Sequence, residues 1–245
     1  MLTPKPVQNR ILAHLPDATL TALRPHLKVR HVEQYAVLQE QQRKIHSIYF
    51  IESGMANLFT FSDHRRVEIG IVGRYGFVGV PIVLGRTCAA HQCVMEVEGD
   101  AVEVNAREVR RWMRRYPGVR LQLMKFVQAL LVQNSQMSLC NIIHPLNERL
   151  ATWLLLSHDR LDGDMIPLNY ELLPMVLNVQ WPAVEAALAA LETAGIVKKR
   201  QGHIEITNRS LLEQTACKCY RIIVGEYRRL LAPRSRSVIG QVHGL

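Results

Sequence analysis

The sequence is short of several things that would place it quickly. No run approaches the ~18 consecutive apolar residues that a membrane-spanning helix needs, and the opening "MLTPKPVQNR" has no hydrophobic signal core. Cysteine is scarce, with five residues at 88, 93, 140, 217 and 219, odd in number and irregularly spaced. That pattern fits reduced thiols better than a disulfide framework. There is no phosphate-cradling loop with a lysine and no recognisable nucleophile turn, although Ser, His and Asp are all present. These absences lead us to expect a cytoplasmic protein that is not an enzyme and has no membrane partner.

What is present is ordinary globular material. A chain of 245 residues, 48% apolar and 21% charged, is long enough for one large or two modest domains with buried cores. The formal charge of +9 hints at a polyanionic partner, but it is unevenly spread. Residues 144–197 hold two basic against seven acidic side chains, whereas residues 198–245 hold ten against three. The cationic tail after Lys198 is therefore the polyanion contact of choice. The arginines at 107, 110, 111, 114 and 115 read as a solvated helix surface.

Residues 8–29 carry apolar positions at helical spacing, interrupted by Pro16 and Pro25 into short helices. From 30 to 104 the pattern changes to short β-branched runs. "HSIYFIESGMANLFTF" reads as a strand, a Glu-Ser-Gly turn and a second strand, a hairpin by its spacing. "VEIGIVGRYGFVGVP" and "CVMEVEGDAVEV" continue the series, which predicts a small antiparallel barrel or roll. "AREVRRWMRRYPG" is a short helix, and a long helix follows over about 119–143. Along it Leu123, Phe126, Leu130, Met137 and Cys140 recur at alternating steps of four and three, with Gln133 in the missing place. That is either a helix packed on its own domain or a coiled-coil seam with one polar position that fixes register. A second line, Val127 and Leu131, can cover the domain while the first meets a partner, so we expect a parallel homodimer.

His144-Pro145 ends the long helix. "LNERLATWLLLSHDRL" is a short amphipathic helix. "NYELLPMVLNVQWPAVEAALAALETAGIV" then gives two helices joined at Leu177-Asn178-Val179, where Asn tolerates the positive φ that a helix-turn-helix requires. "KKRQGHIEIT" is a hairpin turning at Gln201-Gly202, a wing beside the two helices.

The order of these parts, and "IYFIESGMANLF", "VGRYGFVGVP", "NERLATWLL" and "ETAGIVKKRQGHIEI" within them, resembles the Crp/Fnr family of bacterial transcription regulators over roughly residues 8–215. The resemblance implies an α+β chain in four parts. They are an antiparallel β-roll or jelly-roll sensor domain like those that bind cyclic nucleotides (1–118), a dimerisation helix (119–143), a C-terminal winged helix-turn-helix (144–215) and a basic helical extension (216–245). The seam residues Leu123, Phe126, Leu130, Gln133, Met137 and Cys140 would meet the second copy. Double-stranded DNA would be the other partner, with RNA polymerase a further candidate and the effector and any cofactor unknown.

Cyclic-nucleotide-binding relatives grip the ribose with a glutamate after the Phe-x-Gly turn and the phosphate with an arginine-serine pair. The matching positions here are Val80 and, within a one-residue gap, Ala89-Ala90-His91, so the pocket is kept and its charged anchors are not. Asn134 and Ser135 complete the pocket that the resemblance implies. Cys88, His91 and Cys93 form a C-x₂-H-x-C cluster whose sulfur and imidazole would suit zinc or a haem iron, but small cysteines and a surface histidine also simply fill a strand. No metal site is assigned to it. Cys217 and Cys219, read as neighbours on one helix, should point to different faces, against chelation. The family's iron–sulfur members bind their cluster through cysteines near the N-terminus, and none stands before 88.

On the reading head the resemblance implies a DNA face of Asn169, Tyr170, Gln180, Trp181, Ala183, Glu185, Lys198, Lys199, Arg200 and Arg209. The family places arginines and a glutamate on the recognition helix, whereas Gln180 and Glu185 are the only side chains here that can hydrogen-bond a base edge. Two further readings stay open. One is a degenerate member acting through protein contacts, and the other is a metal- or haem-based sensor.

Overall fold

The computed structural model describes residues 7–63 and 65–231. The chain opens with α1 (Arg10–Ala13), α2 (Asp17–Leu23) and a single 3₁₀ turn at Arg24–His26. Asn9 fixes this segment. Wholly buried, it accepts from the N–H groups of Ile11 and Leu12 at 3.1 and 3.3 Å and donates to the carbonyls of Ile51 and Gly76 at 2.9 and 2.8 Å. Both ends of its side-chain amide are thus used, as burial of an amide requires.

The roll follows as β1 (Lys28–Val32), β2 (Val37–Gln39), β3 (Ser47–Ile51), β4 (Met55–Ser62), β5 (Arg65–Val72), β6 (Phe77–Val78), α3 (Val80–Val83), β7 (Gln92–Val97) and β8 (Gly99–Asn105). Its eight strands make two antiparallel sheets ordered β1-β8-β3-β6 and β2-β7-β4-β5. This corrects one expectation. β3 and β4 are not a hairpin but lie in opposite sheets, the chain crossing between them at Gly54 with φ +76°. A Cβ there would sit 2.4 Å from the Val97 carbonyl oxygen, so glycine is required on two counts. Met55–Phe59 is buried at every position and finds its partners in β5 and β7.

Then come α4 (Ala106–Arg115), the long α5 (Pro117–Ile143), α6 (Leu146–His158), β9 (Met165–Pro167), α7 (Leu172–Leu177), α8 (Trp181–Thr193), β10 (Val197–Arg200), β11 (His203–Ile206), α9 (Arg209–Thr215) and α10 (Lys218–Leu231). Asn178 closes α7 at φ 48°, ψ 50°, the left-handed turn expected of it. Pro174 falls in the first turn of α7, where a missing N–H costs nothing. β10 and β11 pair as the wing, with β9 on the far side. Of the expected C-terminal extension, 232–245 lies outside the described residues. None of the described helices is long and apolar enough to cross a membrane.

The second correction concerns α5. Leu123, Phe126, Leu130, Gln133 and Cys140, expected to meet a second copy, are buried within their own chain, and Met137 is half-buried. Phe126 lies 4.9 Å from the Phe77 ring of the roll and 6.4 Å from Tyr227 of α10. The spacing was right, but it could not tell which body covers the seam, and α10 was not foreseen lying along α5. What stays uncovered is another line at the same alternating steps: Leu121, Met124, Gln128, Leu131, Ser135, Ser138 and Ile142, with Leu131 58% and Ile142 82% exposed. Of the pair assigned to cover the domain, Val127 does so and Leu131 does not.

Candidate functional site

Between α3, the β2–β4–β5 face of the roll and α5 lies a cavity of about 580 Å³. Val80, Ala89, Ala90, His91 and Asn134, expected together, all line it. Ser135 does not; it stands on the exposed line of α5. Most of the wall is apolar, including Leu58, Ile69, Phe77 and Leu130, and Arg86 is the one charged side chain among the described lining residues. Gln39 and Gln42 also line it, and nothing in their local sequence marked them. Three buried polar atoms of the wall have no protein partner: Gln39 Oε1, His91 Nδ1 and Asn134 Oδ1. Burial lowers the His91 pKa, which favours the neutral ring.

Beyond α6, the helix α7, the Asn178 turn and α8 form the helix-turn-helix. Val184, Leu188 and Leu191 bury one side of α8 against its domain. Its outer side shows Gln180, Pro182, Glu185, Ala186, Ala189, Ala190 and Thr193 to solvent, while Trp181 and Ala183 are half-buried. Trp181 packs on Tyr170, ring centroids 4.6 Å apart. Lys198 and Lys199 of the wing are exposed and make no ion pair with the described residues, whereas Arg200 is paired across the hairpin with Glu205 at 2.7 Å.

Two residues expected on this face are engaged elsewhere. Arg209 is held by Asp159 at 2.6 Å, Glu213 at 3.0 Å and the Tyr220 hydroxyl at 2.6 Å, tying α9 to α6 and α10. Asn169 accepts from the N–H groups of Glu171 and Leu172 at the start of α7 and donates to Glu96 of the roll at 2.6 Å.

Residues 29–116 match the family model of the cyclic nucleotide-binding domain, and residues 148–215 match that of the Crp-like helix-turn-helix domain. The chain belongs to the Crp/Fnr family. Solved structures repeat the fold over about three quarters of the chain. FixK2 from Bradyrhizobium japonicum is 17% identical at a TM-score of 0.64, covering 78% of this chain and 98% of its own. A CRP-family transcriptional regulator from Thermus thermophilus, TTHB099, is 15% identical at 0.60, covering 76% and 96%. The c-di-GMP responsive global regulator CLP of Xanthomonas campestris is 12% identical at 0.60, covering 78% and 99%. A search of curated proteins found no match.

Within this Crp/Fnr frame the cysteines sort in an unexpected way. Cys88 is exposed and Cys93 buried, and with His91 they do not converge as a ligand set. Cys217 and Cys219 do converge, with Cys140 and His144. Cys217 precedes α10 in the link from α9, so the helical angle between neighbouring side chains does not apply to the pair.

The helix-turn-helix is docked on the roll in part through the contact of Glu96 with Asn169, and Glu68 of β5 lies beside it, accepting from Asn57 Nδ2 at 2.7 Å. Burial pushes the Glu68 carboxyl from its ordinary 4.5 up to about 8, and Glu96 pushes the same way. Between those values only the folded state keeps the proton, so Glu68 supports stability at the acid end and this contribution is lost as pH rises to about 8. Urea unfolding at several pH values across that window should show a stability falling with pH. Glu68→Gln, always neutral, should flatten the decline, and an unchanged slope would mean that Glu68 does not titrate there.

Proposed function

We propose that this chain is a homodimeric, DNA-binding transcription regulator whose roll takes a small, largely apolar effector and not a cyclic nucleotide. The observation that carries the reading is the outer line of α5. It is a heptad-spaced line left in water, apolar at Leu121, Met124, Leu131 and Ile142 and polar at Gln128, Ser135 and Ser138, and Leu131 on it also lines the cavity, as does neighbouring Asn134. A second copy of the helix laid along that line would cover the seam and roof the pocket together, coupling occupancy to dimer geometry.

The wall chemistry supports the ligand class. Gln39 Oε1 and Asn134 Oδ1 are acceptors without donors, and the imidazole of His91 is favoured neutral. A molecule with one or two N–H or O–H groups on an apolar body satisfies such a wall. A cyclic nucleotide does not, because each charge-assisted contact absent at positions 80 and 89–91 forfeits ~1.5–3 kcal/mol, two to four decades of affinity for the pair. Calorimetric titration with cyclic AMP and cyclic GMP is expected to give no dissociation constant below about 10 μM. A tighter one would return the pocket to nucleotides.

For dimerisation, Leu131→Glu places a charge on an exposed seam and should yield folded monomers in sedimentation. Leu130→Glu buries the charge inside the chain and should unfold it. A Leu131→Glu protein that still sediments as a dimer would move the interface elsewhere.

Binding to DNA would rest on the backbone more than on bases. Lys198 and Lys199 are cations on the wing without an ion pair among the described residues, while the outer side of α8 offers for hydrogen bonds to bases Gln180 and Glu185 near its start and Thr193 at its far end. Replacing both lysines with Ala should weaken all duplexes alike and lower the salt slope by ~0.9 for each phosphate no longer neutralised. Arg200→Ala should do less, since Glu205 already neutralises it. The same poverty of α8 favours a second reading, a member acting through protein contacts. Undetectable binding of the unmutated protein to genomic fragments at low salt would establish that one instead.

A further inference from the structure

We propose that Cys140, His144, Cys217 and Cys219 hold one zinc ion in a closed tetrahedral S₃N site that pins α10 to the hinge below α5. The four residues come from two places far apart in sequence. Cys140 lies in the last turn of α5 and His144 at its C-terminal cap, while Cys217 precedes α10 and Cys219 stands in its first turn. Their ligand atoms all lie within 4.8 Å of one another. Cys140 Sγ and Cys217 Sγ are 3.4 Å apart, and Cys219 Sγ and His144 Nδ1 are 3.6 Å apart. Zinc–sulfur bonds of about 2.3 Å and zinc–nitrogen bonds of about 2.0–2.1 Å give tetrahedron edges of roughly 3.8 and 3.6 Å, so the set needs only a small adjustment to close on an ion.

The chemistry selects the occupant. Thiolate and imidazole are ligands for zinc and poor ones for calcium or magnesium. An iron–sulfur cluster divides its thiolates among several irons and holds some of them well apart, whereas here all four donors converge on one point. The three cysteines are buried and packed on one another, away from the main core. Thr152 of α6, itself wholly buried, places its hydroxyl 3.2 Å from Cys217 Sγ, where it donates to a thiolate and orients it, as groups behind a metal ligand do. Binding releases the thiol protons to solvent, and with four protein ligands no position is left for a substrate. The role is structural, at the junction between the long helix and the DNA-binding domain, and it does not depend on the DNA reading.

The experiment is metal analysis of the full-length protein purified without chelator. One zinc per chain is expected, at least tenfold less in Cys217→Ser and Cys219→Ser, and full content in Cys88→Ser, whose thiol is outside the set. Because the serine variants could fail to fold, the unmutated chain is also stripped and refilled with Co²⁺ alone. Intense sulfur-to-cobalt charge-transfer bands with tetrahedral d–d absorption are expected, and X-ray absorption on the zinc form should give three sulfurs and one nitrogen. The proposal is overturned by a metal-free native chain that gives only an octahedral cobalt spectrum. It is equally overturned by a native Cys140–Cys217 disulfide, by acid-labile sulfide in stoichiometric amount, or by zinc that persists in folded Cys217→Ser.

Discussion

Gln133, past the middle of α5 and wholly buried, is where three parts of the molecule meet. Its Nε2 donates to the Ile71 carbonyl of the roll at 3.1 Å, and its Oε1 accepts from Arg160, just beyond α6, at 2.5 Å and from the Tyr227 hydroxyl of α10 at 3.2 Å. An amide in an apolar seam is tolerable only when its donors and acceptor are matched, and the matching here requires all three bodies in place. Arg160, also buried, donates in addition to the Leu156 carbonyl and lies over the Tyr227 ring at 5.5 Å, while its stem fills the space left by Gly73. Moving α10 or the end of α6 away would strand a buried guanidinium and a buried amide together. The pose of the DNA-binding domain against the roll is thereby tied in part to this polar contact, beside that of Asn169 with Glu96.

This explains what could and could not be read from the sequence. Gln133 stood out as a polar interruption in an apolar series, and a polar break in such a series is as good a register pin within one chain as between two. The helical spacing fixed which residues share a face; it carried no information on whether α10 or a second copy lies upon it. Local chemistry was legible wherever the cause is local. The Asn178 turn, the wing hairpin and the helix stop at His144-Pro145 all follow from neighbouring residues. The β3–β4 crossing did not, because a short step between strands fits a hairpin and a jelly-roll crossover alike, and burial on both faces of Met55–Phe59 is a property of distant partners.

The pocket shows the same division. Val80, Ala89, Ala90, His91 and Asn134 were legible because the roll repeats a known arrangement, whereas Gln39 and Gln42 reach the wall from a strand and loop whose sequence has no mark of it. The cysteine set was hidden by a boundary error of one residue. Treated as helical, Cys217 and Cys219 diverge; with Cys217 in the link ahead of α10, they converge on a helix end 77 residues earlier in the chain.

The long helix therefore carries three kinds of contact at once, and their order along it constrains regulation. Asn134 stands at the cavity wall, Gln133 beside it holds the three-body contact, and Cys140 and His144 end the helix at the hinge. A ligand can shift such a system only by binding one arrangement better than another. On the reading proposed above, an effector that engaged Asn134 would act one residue from Gln133, whose side chain joins the roll, Arg160 and α10.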